Sequence, residues 1–167
     1  MQDISVADFE ATMALNFSAP LRLTLALLPN MLERGRGRIV NIGSSGTREF
    51  APGTGAYVAA KAALDAFTEA LYIDLAGTPV SAHTFVPGRT ATEFSLARPG
   101  EDPPFPADPA NTDSADDVAE AILASLATDG FEYFANPTVE ANAAEKRRDP
   151  NRYLTRRRDW MSRRGDQ

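Results

Sequence analysis

Tyr57 and Lys61 stand four residues apart in Gly55-Ala56-Tyr57-Val58-Ala59-Ala60-Lys61, at the start of a stretch with helical periodicity. Positions i and i+4 share a helix face, so a phenol and an ammonium at this spacing point into one space. A nearby cation favours tyrosinate and draws a pKa that starts near ~10 toward the range of a general acid or base. The plain alternative is an exposed pair on a helix surface, and the surrounding residues decide between the two. Ser44 lies thirteen residues before Tyr57, in a Gly-Ser-Ser-Gly turn. Asn16 stands four residues before Pro20. Proline has no N–H, so inside a helix the Asn16 carbonyl loses its donor and needs another partner, for which a bound water is suited.

These residues must be held by a fold, and 167 residues suffice for one domain with a working core. The sequence contains no cysteine, which leaves neither disulfides nor a thiolate metal site. The apolar run around Leu21 to Leu28 is short for a membrane span and is interrupted by Arg22 and Thr24. Met1-Gln2-Asp3 leads into acidic, polar sequence with no basic leader segment, so a cytoplasmic protein with no membrane partner is expected. Net charge is −6, but residues 141–167 hold nine Lys/Arg against four Asp/Glu, a net of +5 that leaves −11 elsewhere. An acidic body argues against nucleic acid as a partner, and the basic tail reads as a solvated helix or frayed end.

Along the chain, Ser5 with Asp8 resembles a capping box, and Phe9, Met13, Phe17, Leu21 and Leu28 recur at helical spacing through residues 5–33. Gly35-Arg36-Gly37 breaks the helix, and residues 38–43 read as a buried strand. A Gly/Ser/Pro loop over 44–54 leads to a helix over 55–76, with Leu64, Phe67, Leu71 and Leu75 as its core stripe. Residues 80–86 are the next strand, ended by Pro87-Gly88; the proline-rich stretch 97–113 reads as a lid loop. Ser114 with Asp117 caps a third helix with Val118, Ile122 and Leu126 inward, and Phe131 to Phe134 is a last strand. Helix and strand alternating in this way imply parallel strands and crossover helices, an α/β layer fold.

The run Asn16, Asn41-Ile42-Gly43-Ser44-Ser45-Gly46, Tyr57-Val58-Ala59-Ala60-Lys61 and Pro87-Gly88-Arg89-Thr90-Ala91-Thr92 resembles the short-chain dehydrogenase/reductase superfamily over roughly residues 3–135, spacings included. The resemblance implies a partial Rossmann-like, doubly wound parallel sheet of about three strands, with residues 1–140 as catalytic domain and 141–167 as basic tail. It implies an oxidoreductase interconverting alcohol and carbonyl with NAD or NADP. In that family's pattern Tyr57 is the acid/base, Ser44 donates to the same substrate oxygen, Lys61 holds the nicotinamide ribose, and Asn16 holds a water on the proton path. Pro87, Gly88, Thr90 and Thr92 would hold the nicotinamide carboxamide. Ser45 is one residue short of the spacing, Phe50 and Phe94 are candidates for the substrate pocket, and His83 on its strand reads as structural.

The same resemblance implies a small-molecule alcohol or ketone substrate and a homo-oligomer paired through helices 5–33 and 55–76. The chain departs from the family in lacking the Gly-rich strand–turn–helix that approaches a pyrophosphate. The expectation is therefore a catalytic half whose first strand has a bare edge. The alternative reading is a non-catalytic remnant acting through helix-mediated association.

Overall fold

A computed structural model describes residues 4–49, 53–95 and 111–162. Helix α1 (Val6–Met13) begins where expected: the Ser5 hydroxyl oxygen accepts the Asp8 N–H at 3.0 Å. It runs through a π-turn (Ala14–Ser18) into α2 (Ala19–Glu33). The π-turn sits directly before Pro20, and the Ala19 N–H reaches back five residues to the Ala14 carbonyl. A proline strips the next turn of a donor, and the widened turn is one way a helix absorbs that loss without breaking. The whole run Val6–Glu33 is long and apolar enough to cross a membrane, longer than the Leu21–Leu28 stretch alone. Only 6% of its apolar window is buried, although the run packs along the Tyr57 helix.

Gly35 ends α2 at φ +70°, with the Arg36 N–H donating to the Met31 carbonyl, the left-handed closure that glycine permits. Strand β1 (Gly37–Ile42) follows, then a single turn α3 (Gly46–Glu49) and the long helix α4 (Gly55–Asp74). Strand β2 (Val80–Val86), helix α5 (Ala115–Ser125) and strand β3 (Glu132–Phe134) complete the alternation. The three strands form one parallel sheet in the order β1-β2-β3. Gly37 to Ile42 pair with Val80 to Phe85, and Thr84 to Val86 with Glu132 to Phe134. The α/β alternation legible in the sequence is the fold.

Leu71, Leu75, Val80 and Ala82 form the core against Leu28, Met31, Ile39 and Phe67. Strand β2 is buried along almost its whole length, whereas β1 is mostly half-buried because it stands at the sheet edge. Among the described residues no strand covers that outer edge. Val118 is buried, but Leu126, expected to point inward, is 41% exposed. The helix has ended at Ser125, and the Leu126 carbonyl instead accepts the Arg38 guanidinium at 2.6 Å.

The basic segment is helical. Helices α6 (Pro137–Arg148) and α7 (Pro150–Ser162) fold back against α3. Asn136 starts α6 by accepting the Thr138 and Val139 N–H groups. Residue 140, where the chain's charge changes sign, lies inside α6.

Candidate active site

Tyr57 and Lys61 lie in the first two turns of α4, and Ser44 in the turn that leaves β1. All three gather at the C-terminal end of the β1 strand, the end at which open parallel sheets bind ligands. Ser44 is 9% exposed, and its Oγ accepts the Gly46 N–H at 3.1 Å. A Cβ added at Gly46 would stand 3.2 Å from Ser44 Oγ and 4.0 Å from Tyr57 Cε1. The serine hydroxyl and the tyrosine ring therefore border one small space, which a side chain at residue 46 would fill. The Tyr57 ring lies 5.5 Å from the exposed Phe94 ring, tilted by 56°.

Lys61 Nζ stands 5.8 Å from the Tyr57 ring centroid and donates to the Ile42 carbonyl at 3.0 Å. Burial lowers the pKa of Lys61, and the negative charge of Asp65 works against that fall. Asn16 is carried by the π-turn, which packs on α4. Its side-chain nitrogen donates to the Thr12 carbonyl at 3.1 Å, which fixes the carboxamide along its own helix.

The segment after β2 joins the same corner. The Ser45 N–H donates to the Pro87 carbonyl at 3.0 Å, tying the serine turn to the Pro87-Gly88 turn. Arg89 and Ala91 exchange backbone hydrogen bonds with Asp113 on either side of Thr90. In such a bridge the flanking residues supply the bonds, so the Thr90 N–H and C=O face the other way. Thr92 Oγ1 accepts the Phe94 N–H at 3.3 Å, at the start of a 3₁₀ turn. Phe50 lies outside the described residues. His83 is 2% exposed and bonded to Gly130 O and Ser81 Oγ, with its pKa lowered by burial, as suits a structural residue.

Sequence reasoning missed the charged layer behind this corner. Asp65, four residues after Lys61, is buried and accepts from Thr47, Arg48 and Thr84. Arg48 continues to Glu132 on β3, and Glu132 to Arg147 on α6. Burial works against the Arg48 charge, but Asp65 and Glu132 outweigh it and push its pKa up. The available signal was an acid at i+4 from Lys61, inside the apolar stripe of α4.

The family model described as short chain dehydrogenase matches residues 1–101. Over 158 residues the chain is 30% identical to 1-deoxy-11-beta-hydroxypentalenate dehydrogenase of Streptomyces avermitilis, covering 94% of this chain and 57% of that protein. In fold it resembles a short chain dehydrogenase of Burkholderia cenocepacia solved with NADP: TM-score 0.73 at 24% identity, over 89% of this chain and 60% of that one. A short chain dehydrogenase/reductase of Burkholderia phymatum solved with NAD is similar at TM-score 0.75 and 24% identity, over 89% and 60%. The chain spans only 22%, 40% and 57% of the length of three curated relatives it matches.

Proposed function

The chain belongs to the short-chain dehydrogenase family, and on that premise we propose that it carries the proton-transfer site of an oxidoreductase that interconverts an alcohol and a carbonyl with NAD or NADP. The observation that carries this reading is the space shared by Ser44 Oγ and the Tyr57 ring, with Lys61 behind it. A substrate oxygen in that space meets the Tyr57 hydroxyl as acid/base and the Ser44 hydroxyl as a second hydrogen-bond donor. Tyr57 gives or takes the proton, and Ser44 stabilises the charge that develops on the oxygen. Lys61 favours the tyrosinate by its charge, and Asn16 holds a water on the route by which the proton leaves.

The residues present fit the nicotinamide end of the cofactor. The outward-facing backbone of Thr90, the Pro87-Gly88 turn and Thr92 suit its carboxamide, and Lys61 suits its ribose. When bound, the nicotinamide supplies or accepts the hydride. The chain offers no Gly-rich turn for the pyrophosphate, and the choice between NAD and NADP has no determinant in its sequence. Residues 97–113 act as a substrate lid in this reading, of which 97–110 lie outside the described residues. Residues 1–140 form the catalytic domain, with the basic segment 141–167 beside it. The protein works in the cytoplasm as a homo-oligomer paired through helices 5–33 and 55–76. That pairing draws support from the exposed Leu15, Leu23, Leu25 and Leu27.

The test is to fuse a family member's nucleotide-binding half in front of Met1 and assay a panel of alcohols and ketones. Turnover that disappears in Tyr57→Phe supports the proposal; turnover unaffected by that change overturns it. A second reading, a non-catalytic remnant acting by helix association, draws on the chain's partial coverage of its relatives. A folded fusion that binds cofactor but turns nothing over would favour it.

A further inference from the structure

Arg48 and Asp65 form the most enclosed ion pair among the described residues, with side-chain exposures of 15% and 8% and an Nη1–Oδ2 distance of 2.9 Å. Two charges are costly to bury together unless their remaining hydrogen-bonding capacity is used. Here it is. Arg48 Nη1 also donates to Thr47 Oγ1 at 2.7 Å, and Nη2 reaches Glu132 Oε1 at 2.7 Å. Thr47 Oγ1 lies 2.8 Å from the Ser44 carbonyl and 3.0 Å from Asp65 Oδ2, so its single proton serves one of the two. Thr84 Oγ1 lies 3.2 Å from the other carboxylate oxygen.

Asp65 therefore reaches the serine turn from beneath. A Cβ at Gly43 would stand 2.8 Å from Asp65 Oδ1, so the backbone just before Ser44 rests almost on the carboxylate. On its own helix Asp65 follows Lys61 by one turn, and its charge opposes the loss of the Lys61 proton. A single buried carboxylate thus touches the turn that carries Ser44 and acts on the lysine behind Tyr57.

We propose that Asp65 is a positioning residue, which through Thr47 and Arg48 locks the Ser44 turn to the Tyr57–Lys61 helix in one register. The proposal rests on the reading of Ser44, Tyr57 and Lys61 as one site. A stable fold alone does not need this arrangement: an apolar residue at 65 and another at 48 would pack the same space without charge. What the pair adds is direction, because each hydrogen bond specifies which atom of the turn meets which atom of the helix.

The test uses the full chain and needs no turnover. Hydrogen exchange of the Gly46 amide, which donates to Ser44 Oγ, reports the serine side chain directly. Labelled-lysine NMR reports the titration midpoint of Lys61. That lysine stands beside the Tyr57 ring, feels the charge of Asp65 and donates to the Ile42 carbonyl. Of the elements packed on its helix, α1 carries Asp8 and Glu10, α2 Arg22 and Glu33, α3 Arg48 and Glu49, β1 Arg38 and β2 His83. The π-turn packed against its helix contributes no charged residue. In Asp65→Asn the Gly46 amide is expected to exchange at least tenfold faster while the buried β2 amides change less, and the Lys61 midpoint to move down.

A second variant, Asp65→Asn with Arg48→Gln, removes both charges, leaves Glu132 its Arg147 partner, and keeps the test alive if the single change unfolds. Its expected result is the same. A folded variant of either kind with Gly46 exchange and Lys61 midpoint as in the parent overturns the proposal. So does a uniform rise in exchange across β2 with no change at Lys61, which marks a merely structural pair. Failure of the proposed enzymatic function would appear in the fusion assay and leaves these two readouts untouched.

Discussion

Lys61 Nζ donates to the Ile42 carbonyl at 3.0 Å, so the amine behind Tyr57 is tied to the last residue of the edge strand β1. One side chain joins the helix that carries the phenol to the strand that delivers Ser44. The charge on that side chain is therefore a property of the corner as a whole.

Burial lowers the Lys61 pKa below its ordinary 10.5, with Asp65 opposing. Between the folded and the ordinary value the unfolded chain holds a proton that the folded chain has released. Unfolding free energy then rises with pH across that window, and the penalty is full below it. Stability of the parent relative to Lys61→Met should improve as pH is raised toward 10.5. Urea denaturation at a series of pH values checks this.

Tyr57→Phe keeps the ring and its contact with Phe94 but removes the acid. In the fused enzyme it should lower kcat by about 100- to 10,000-fold while circular dichroism stays unchanged. Ser44→Ala should cost about 100- to 1,000-fold in kcat, with a smaller effect on KM. Steady-state kinetics on the same substrate separates the two.

Asp65→Ala leaves the half-buried Arg48 with Glu132 as its remaining acidic partner and takes one acceptor from each of Thr47, Arg48 and Thr84. The expected loss is about 3 kcal/mol of stability, read by urea unfolding. A loss within about 0.5 kcal/mol, the range of an unremarkable surface substitution, would mean that the pair is not enclosed in solution.

Pro20→Ala restores an N–H one turn beyond Asn16. The new amide should be strongly protected from hydrogen exchange, because the Asn16 carbonyl accepts it and the π-turn regularises. In the fused enzyme the same variant should slow proton transfer, since the carbonyl proposed to hold a water is then occupied. An unprotected amide at residue 20 would show that the π-turn has another cause.

The chain by itself should bind NADH or NADPH weakly or not at all, since no residues supply a pyrophosphate turn. A fluorescence titration giving micromolar affinity would overturn this.

The fold was legible because its signals are local. Ser5 and Ser114 announce their helices by side-chain caps, and both caps form. The apolar runs at 38–43 and 80–86 are the two longer strands. Three of the four proposed proton-transfer residues announce themselves by spacing, and Pro20 pointed to an irregular helix at Asn16. Arg48, Glu132 and the C-terminal helices were not legible, because their meaning lies in contacts between residues 84 to 108 positions apart. Leu126 was misplaced for a related reason. Helical periodicity places it inward only while the helix continues, and α5 stops one residue earlier.

Helices α6 and α7 finish the single turn α3 that follows Ser44. Lys146 donates to the Thr47 carbonyl across 99 positions of sequence, Tyr153 to the Glu49 carbonyl across 104, and Arg157 to that same oxygen across 108. During synthesis α3 leaves the ribosome with its Thr47 and Glu49 carbonyls not yet claimed by these groups, and the cations and phenol that claim them emerge about a hundred residues later. The nascent chain can pair β1 with β2 well before this corner is set. Among the described residues, α3 receives these three bonds only after every strand of the sheet has been made.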